Sequence, residues 1–307
     1  MRPASDHDID AAVEVLRRGG LVGLLTETVY GLAADASNEA AVRRIFAVKG
    51  RPADHPLIVH LGAADQLEQW SSSVPTSAAM LADACWPGPL SVIVPRAAHV
   101  LDVVTGGRDT VAVRMPAHPV ALAVLQRFGG GIAAPSANRF GQVSPTTADH
   151  VRADLSADVD LVLDGGASRV GVESTIVDCT VIPAQILRPG GIANEEIERL
   201  LAGAVTGASG PSRTSGMLAS HYAPRARVEV FESAESAHRR ADALRADGQR
   251  VTALDATGDP VVVAQQLFAW LRRADDDAAD IVVTVLPRAA GLGHAIRDRL
   301  FKASGSG

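Results

Sequence analysis

The chain has 307 residues, of which 47% are hydrophobic and 21% are charged, so it can bury the core of one large domain or of two ordinary ones. Its net charge of −6 argues against a protein that coats nucleic acid, and the lack of any run of about 18 apolar residues excludes a membrane-spanning helix. The two distant cysteines, Cys85 and Cys179, are too few for a disulfide framework or a zinc site, and with an acidic N-terminus they predict a cytoplasmic protein.

The first 200 residues predict an α/β domain with a mixed sheet. Helical patterns lie at 8–18, 38–49, 76–85, 118–128 and 194–202. Asn38 is placed to cap the second of these helices, and Lys49-Gly50 to end it. Strand-like runs lie at 21–25, 90–94, 110–114, 131–134, 161–163, 174–178 and 184–188. Several runs follow one another too closely for helical crossovers, so the sheet cannot be purely parallel.

A change in composition at 203–216, where glycine, serine, threonine and proline dominate, predicts a linker. Beyond it, strand-like runs at 228–231, 251–256 and 281–286 alternate with helical patterns at 234–246, 261–273 and 294–302. This alternation predicts a small parallel, Rossmann-like domain, although no G-x-G-x-x-G motif opens its first helix. The predicted organisation is a first domain over 1–202, a linker and lid over 203–220, and a second domain over 221–307.

Five polar clusters follow or end apolar runs of the first domain. They are TETVYG (26–31), KGRP (49–52), PSANRFG (135–141) with SPT (144–146), GVEST (171–175) and RPGG (188–191). Each cluster taken alone also fits an ordinary turn or a helix cap. Five of them in one domain, two of them cationic, favour a binding cleft at the edge of the sheet. Since no G-x-x-x-x-G-K-[ST] motif occurs, a nucleotide would be held there without a P-loop.

Lysine is rare in this chain, which uses 27 arginines but only Lys49 and Lys302. A lysine within a polar motif is therefore notable, because arginine cannot replace its compact ammonium group. Lys49 and Arg51 flank a glycine and could grip a triphosphate, although cations at the end of a helix also complement its dipole. His60, after an apolar run, is a candidate ligand contact or a satisfied core residue.

These clusters, in this order, resemble the YrdC-like superfamily, and in particular its two-domain members, the threonylcarbamoyl-AMP synthases. The matching stretches are TETVYGL, VKGRPADHPLIVH, TVAVRMP, APSANRFGQVSPT, GVESTIVD, ILRPGGI, HYAP (221–224) and GLGHAIRDRLFKA. The resemblance covers nearly the whole chain. It implies a twisted open α/β sheet with a positively charged cleft, followed by a Rossmann-like domain.

The resemblance also implies which residues bind the substrates. The threonine pocket would include Thr28, His60, Arg114, the Ala134 backbone and Ser174. The ATP site would include Lys49, Arg51, Thr110, Ser136, Asn138, Ser144 and Arg188. Tyr222 would fold back over the nucleotide. His55 stands in an ATP-contacting position where the family usually has asparagine, and Ser215 to Leu218 replace a usual Pro-Gly-Met-Lys.

The reaction implied by the resemblance joins L-threonine, bicarbonate or carbon dioxide, and ATP with Mg²⁺ into threonylcarbamoyl-AMP and pyrophosphate. Lys49 and Arg51 are the expected catalytic residues. The product would pass to the machinery that forms threonylcarbamoyladenosine in tRNA. Lys49, Arg51 and Arg188 would neutralise phosphate charge, Arg114 would hold the threonine carboxylate, and Thr28 or Ser174 would contact its hydroxyl. The identity of any metal ligands stays open.

Two alternatives compete with this interpretation. One is a carbamoyl-adenylate-forming enzyme of the same superfamily, although such proteins normally carry zinc-finger and acylphosphatase-like modules for which this chain lacks the length and cysteines. The other is an RNA-binding regulatory module. Residues 1–202 carry 16 basic and 23 acidic side chains, a balance that disfavours broad binding to RNA, and direct binding of tRNA is left open.

Overall fold

The computed structural model describes residues 4–203, 205–207 and 222–305. Within these ranges the helices are α1 Asp6–Arg17, α2 Glu39–Lys49, α3 Leu67–Trp70, α4 Thr76–Cys85, α5 Asp102–Thr105, α6 Pro119–Phe128, α7 Ala148–Leu155, α8 Asn194–Leu200, α9 Ala234–Ala246, α10 Pro260–Asp276 and α11 Gly293–Ala303. The strands are β1 Val22–Leu25, β2 Tyr30–Asp35, β3 Ile58–His60, β4 Leu90–Pro95, β5 Thr110–Arg114, β6 Ile132–Ala133, β7 Leu161–Leu163, β8 Thr175–Asp178, β9 Ala184–Arg188, β10 Val205–Gly207, β11 Arg227–Phe231, β12 Val251–Asp255 and β13 Ile281–Val285. No helix in these ranges is long and apolar enough to cross a membrane.

The ends of helix α2 follow from its sequence. The side chain of Asn38 accepts a hydrogen bond from the Ala41 amide at 3.2 Å and so satisfies one of the free N–H groups of the first turn. Gly50 ends the helix in the left-handed conformation, with φ of 62°, which glycine adopts without steric cost. The predicted cap and stop are confirmed. As a result, Lys49 is the last helical residue and Arg51 lies just beyond the turn.

The larger sheet is mixed, as the sequence predicts. Among the described residues its strand order is β10-β9-β8-β4-β5-β3-β6-β2-β1-β7. Strands β3 and β5 are parallel, as are β4 and β8, whereas β1 and β2 form an antiparallel hairpin and β8 and β9 are also antiparallel. Strands β2 and β3 were not predicted as strands. Strand β2, YGLAAD, is rich in glycine and alanine, which favour strands little, and β3 has only three residues, so neither gives a strong strand pattern.

The second sheet is small and parallel, in the order β11-β13-β12, and this prediction is also confirmed. Strand β13 is central and fully buried; α9 connects β11 to β12, α10 connects β12 to β13, and α11 follows β13. The predicted linker begins inside regular structure, because β10 pairs in parallel with Ala184 to Ile186 of the larger sheet. Residues 208–221, which include most of the predicted lid and His221, lie outside the described residues.

The two sheets are joined by a continuous apolar core and by buried ion pairs. Val29, Val143 and Val172 of the first part pack in one cluster with Phe268 and Ile296 of the second. These three valines belong to, or lie beside, the polar clusters singled out in the sequence. The second sheet and its helices therefore support the loops that carry those clusters.

Gly171 provides a test of this packing between the two parts. It has φ of +79°, and a Cβ atom there would lie 2.2 Å from the carbonyl oxygen of Ala264 in α10. Gly107 has nearly the same φ, +77°, but nothing within 4 Å of its would-be Cβ. We expect Gly107→Ala to lower the free energy of unfolding by about 1–2 kcal/mol from backbone strain alone. Gly171→Ala should cost at least about 1–3 kcal/mol more, since the backbone of α10 must shift.

Urea unfolding of both variants measures the difference. Equal losses of stability in the two variants would contradict the close approach of α10 to the loop at Gly171.

Candidate active site

All five polar clusters of the sequence contribute to one cleft at the ends of the strands of the larger sheet. The predicted site residues that line it are Thr28, Arg51, His60, Arg114, Ala134, Ser136, Ser174, Arg188 and Tyr222. Thr26, Gly31 and Glu173 also line it. Strand pairing explains the convergence, since β3 and β5 place His60 directly opposite Arg114, and a bridge joins Gly31 to Ser136. Residues that are distant in sequence thus meet at one edge.

Arg114 is held at one wall of the cleft by three different groups. Its Nε donates to the Gly88 carbonyl at 3.1 Å, Nη1 donates to the Thr28 hydroxyl at 3.0 Å, and Nη2 pairs with the Glu27 carboxylate at 2.5 Å. Both charged side chains are buried. Burial alone raises the pKa of Glu27, but the adjacent Arg114 guanidinium more than offsets it and lowers the pKa below its usual value. The guanidinium is therefore fixed and charged, as a carboxylate receptor requires.

His60 is buried beside Arg114. Burial, and secondly the positive charge of Arg114, lower the pKa of His60 to about 3. Its Nδ1 atom is buried without a hydrogen-bond partner in the described ranges. The imidazole is neutral at physiological pH, so it can accept or donate one hydrogen bond to a ligand but adds no charge to the cleft.

A second arginine, Arg188, also lines the cleft. Its Nε and Nη2 donate to the Ser174 carbonyl at 3.1 and 2.8 Å, and Nη2 also reaches the Ser174 hydroxyl at 3.1 Å. That hydroxyl lies 2.8 Å from the hydroxyl of Ser91. Arg114 and Arg188 thus each contact a cleft hydroxyl, Thr28 in one case and Ser174 in the other. Guanidinium groups beside hydroxyls form a lining suited to anionic oxygens.

Lys49 lies behind the loop that carries Ser136 rather than in the lining itself. Its ammonium group donates to the carbonyl oxygens of Ser136 and Asn138, each at 2.5 Å. Burial, and secondly the nearby Arg51, hold the pKa of Lys49 well below its usual value. The side chain therefore ties the end of α2 to the 136–138 loop. Arg51 does line the cleft, with its guanidinium 5.8 Å from the centre of the Phe140 ring.

Glu173 and Ser144 link this wall of the cleft to the second part of the chain. The Ser144 hydroxyl donates to one Glu173 oxygen at 2.6 Å, and Arg299 of α11 donates to the other at 2.7 Å. Burial by itself raises the pKa of Glu173, but Arg299 and then Arg188 lower it to about 2, so the group is ionised. Tyr222 is buried next to them and lines the same wall.

Five predicted site residues are not in the lining. Lys49, Asn138 and Ser144 are buried directly behind it, where they hold the loops in place. The ring centres of His55 and Phe140 lie 5.5 Å apart, and the backbone carbonyl of His55 accepts a hydrogen bond from Arg51. Thr110 lies at the start of β5, opposite Pro95 and at the other end of the strand from Arg114. Their predicted roles stay predictions.

Sequence reasoning assigned no role to Glu27, Ser91, Glu173 or Arg299. Glu27 and Glu173 were visible as carboxylates inside polar motifs that otherwise carry hydroxyls. Arg299 was visible as a cation on the apolar face of the last helix, three residues after Ile296. Ser91 gave no signal, because it lies within an apolar strand.

A dedicated metal site is not formed by the described residues, among which no three His, Cys, Asp or Glu side chains cluster. The two carboxylates at the cleft are already bound to arginines.

The fold and the site together define a two-part α/β protein with a cationic cleft in its first part. A family model covering Sua5, YciO and YrdC, described as telomere recombination, matches residues 14–190. A model of the C-terminal domain of threonylcarbamoyl-AMP synthase matches residues 192–305. The chain belongs to the Sua5, YciO and YrdC family and carries the additional C-terminal domain of its threonylcarbamoyl-AMP synthases.

Relatives named threonylcarbamoyl-AMP synthase match nearly the full chain. The protein of Pyrococcus abyssi is 43% identical over 97% of this chain and 94% of its own. The protein of Bacillus subtilis is 39% identical over 98% of this chain and 94% of its own. A crystal structure of P. abyssi Sua5 complexed with L-threonine superposes with a TM-score of 0.94 at 40% identity, covering 98% of this chain and 95% of that one.

The Glu27–Arg114 pair should be essential for stability. Glu27→Gln keeps the shape of the side chain but leaves a buried guanidinium without its counter-charge, and we expect a loss of about 3–5 kcal/mol in the free energy of unfolding. The matched control is Glu232→Gln, which removes the partner of Arg297 at a carboxylate whose side chain is 70% exposed. That change should cost no more than about 1 kcal/mol. Similar losses by urea unfolding would contradict the buried pair.

His60 should not titrate near neutral pH. Since its pKa of about 3 in the folded protein lies below its usual value, the unfolded chain takes up a proton first as the pH falls. His60 thus lowers stability progressively below about pH 6.5. In NMR spectra its imidazole signals should stay constant between pH 5 and 8. A titration midpoint inside that range would show that the ring is accessible to water.

Proposed function

We propose that the chain is a threonylcarbamoyl-AMP synthase, which joins L-threonine, carbon dioxide or bicarbonate, and ATP into threonylcarbamoyl-AMP and pyrophosphate. The observation that carries this proposal is the charge of the cleft. Among the described residues, Arg51, Arg114 and Arg188 line it beside a single lining carboxylate, Glu173, in a chain whose net charge is −6. A narrow positive cleft in an acidic protein favours small anionic substrates over a broad polyanion such as RNA.

Each substrate has a matching part of the cleft. Arg114, fixed by Glu27, would bind the carboxylate of threonine, with Thr28, Ser174 and His60 as partners for its hydroxyl and amine. Arg51 and Arg188 would bind the phosphates, and Arg188 is near enough to lower the pKa of Arg51, which burial brings to about 10. The crystal structure of the P. abyssi relative with L-threonine supports threonine as the amino acid.

The reaction proceeds in two steps that need positioning more than covalent catalysis. The amine of threonine adds to carbon dioxide, loses a proton and becomes a carbamate. A carbamate oxygen then bonds to the α-phosphorus of ATP as the bond to pyrophosphate breaks. Arginine donors stabilise the charge on the phosphate oxygens, and Lys49 holds the Ser136 loop against the nucleotide. Mg²⁺ enters with ATP as part of the substrate and neutralises phosphate charge.

The cellular setting is part of the proposal. The adenylate product is labile, so it would be handed to the enzymes that form threonylcarbamoyladenosine on tRNA in the cytoplasm. Enclosure of the site by Tyr222 would limit access of water to the carbamate.

The test is release of pyrophosphate from ATP with bicarbonate and Mg²⁺. We expect release with threonine, less with serine and least with valine, because a buried site that bonds a substrate hydroxyl rejects an analogue lacking it. Lys49→Ala should lower kcat/KM by roughly 100-fold, as the 136–138 loop loses its anchor. Arg43→Ala, on the exposed face of the same helix, is the matched control and should be unaffected.

Circular dichroism confirms that both variants are folded. Release that is independent of threonine, in a protein that binds ATP, would contradict the proposed synthase. Release that depends on carbamoyl phosphate would favour the carbamoyl-adenylate alternative.

A further inference from the structure

Arg299 is a fully buried cation of the second part of the chain that reaches the wall of the cleft. It belongs to α11 and has no exposed surface. Its Nε donates to Glu173 at 2.7 Å, and its Nη1 donates to the carbonyl of Pro189 at 3.0 Å and to Asp298 at 2.5 Å. Its guanidinium carbon lies 5.1 Å from the centre of the Tyr222 ring. One side chain thus contacts three separate segments around the cleft.

The three segments all bear on the part of the cleft that we assign to the nucleotide. Glu173 lines the cleft and holds Ser144 by its second oxygen. Pro189 follows Arg188, whose guanidinium lines the cleft. Tyr222 covers the same wall. Arg299 itself is not in the lining, so any effect on the reaction must pass through these residues.

The threonine part is built differently. Arg114 is held by Glu27, Thr28 and Gly88, all from the first part of the chain. Nothing in these contacts depends on α11. Arg114, which we assign to the threonine carboxylate, can therefore be left in place while the contacts of Arg299 are changed, although Ser174 of the threonine part is itself bonded to Arg188. A change confined to Arg299 should weaken nucleotide binding more than threonine binding, whereas a general loosening of the fold should weaken both.

The bonding of Arg299 is not that of a simple structural anchor. Its Nη2 atom is buried without an acceptor among the described residues. A buried donor without a partner carries a desolvation cost. A contact that served only to join two domains would have no reason to retain such a cost. The orientation of the guanidinium is instead set by Glu173, Pro189 and Tyr222.

We propose that Arg299 is a positioning residue for the reaction, through which the second domain fixes Glu173, Tyr222 and the turn after Arg188 in the geometry that binds and activates ATP. That ATP is the substrate rests on the proposed function, but the measurement of binding of an ATP analogue does not depend on it. It gives the C-terminal domain a defined role in the chemistry of a cleft formed mostly by the first domain.

Arg299→Lys tests this role while keeping the positive charge. The ammonium group of lysine is a point donor and cannot contact all three segments at once. We expect kcat/KM for ATP to fall roughly 10- to 100-fold and the Kd for a non-hydrolysable ATP analogue to rise about tenfold. The Kd for threonine without nucleotide, measured by calorimetry, should stay within about twofold of the wild type.

The matched control is Arg297→Lys on the same helix. Arg297 pairs with the exposed Glu232 and lies away from the cleft, so both affinities and turnover should be unchanged. Thermal unfolding of both variants reports whether the fold is retained.

The pH dependence gives a second readout. Glu173 faces Arg299 on α11, Arg188 on β9, the Ser144 hydroxyl and Tyr222, while Asp298 on α11 pairs with Arg299 and acts on Tyr222. Arg299→Gln removes the charge that does most to lower the pKa of Glu173. The pKa of Glu173 therefore rises toward the value set by burial. The variant should show an acid limb, a loss of kcat/KM for ATP as the pH falls, at a pH above the Glu173 pKa of about 2 in the wild type. The double variant with Glu173→Gln should lack that limb.

The outcomes separate the two proposals. Wild-type affinity and turnover for ATP in Arg299→Lys would overturn the positioning role, and so would equal losses of affinity for ATP and threonine, which indicate general loosening. If the wild type releases no pyrophosphate with threonine, the proposed function fails. The positioning role would then still be judged by whether Arg299→Lys weakens the ATP analogue alone.

Discussion

The shape of the cleft depends on which groups accept hydrogen bonds from its buried arginines. A guanidinium removed from water must be met by acceptors, and each arginine at the cleft is met differently. Arg114 has the carboxylate of Glu27, Arg188 has the carbonyl and hydroxyl of Ser174, and Arg51 has backbone carbonyls near His55. The loops after the strands take their shapes from these bonds. A positive cleft can persist in an acidic protein because its cations are fixed before a ligand arrives.

This constraint divides the molecule by function. The arginine that we assign to threonine is satisfied inside the first sheet, between neighbouring loops. The wall that we assign to ATP is satisfied across the boundary, because Glu173 is shared between Ser144 and Arg299. A carboxylate bound from both sides fixes the relative position of the two parts. Under the proposed assignments, the second domain would be coupled to the ATP site more closely than to the threonine carboxylate site.

Much of the fold and of the cleft could be predicted from the sequence, and the features that could not be predicted have physical reasons. The cap at Asn38, the stop at Gly50 and the parallel second sheet follow from local patterns. The clusters that form the cleft were visible because polar residues seldom follow buried strands without a role. Strand β2 was missed because its glycine and two alanines give it a low strand propensity. The pair of Glu173 and Arg299 was missed because the two residues are 126 positions apart, and no local periodicity encodes a partner so distant.

The choice of lysine at position 49 follows from the same geometry. Its ammonium fits between the carbonyl oxygens of Ser136 and Asn138, each 2.5 Å away, at the end of a helix. Those two oxygens belong to one tight loop, and a compact donor with freely rotating hydrogens can serve both. The planar fork of arginine needs more room and a fixed approach, so it would push the loop toward the cleft. In a chain with 27 arginines and two lysines, the rare residue stands where only a small cation fits.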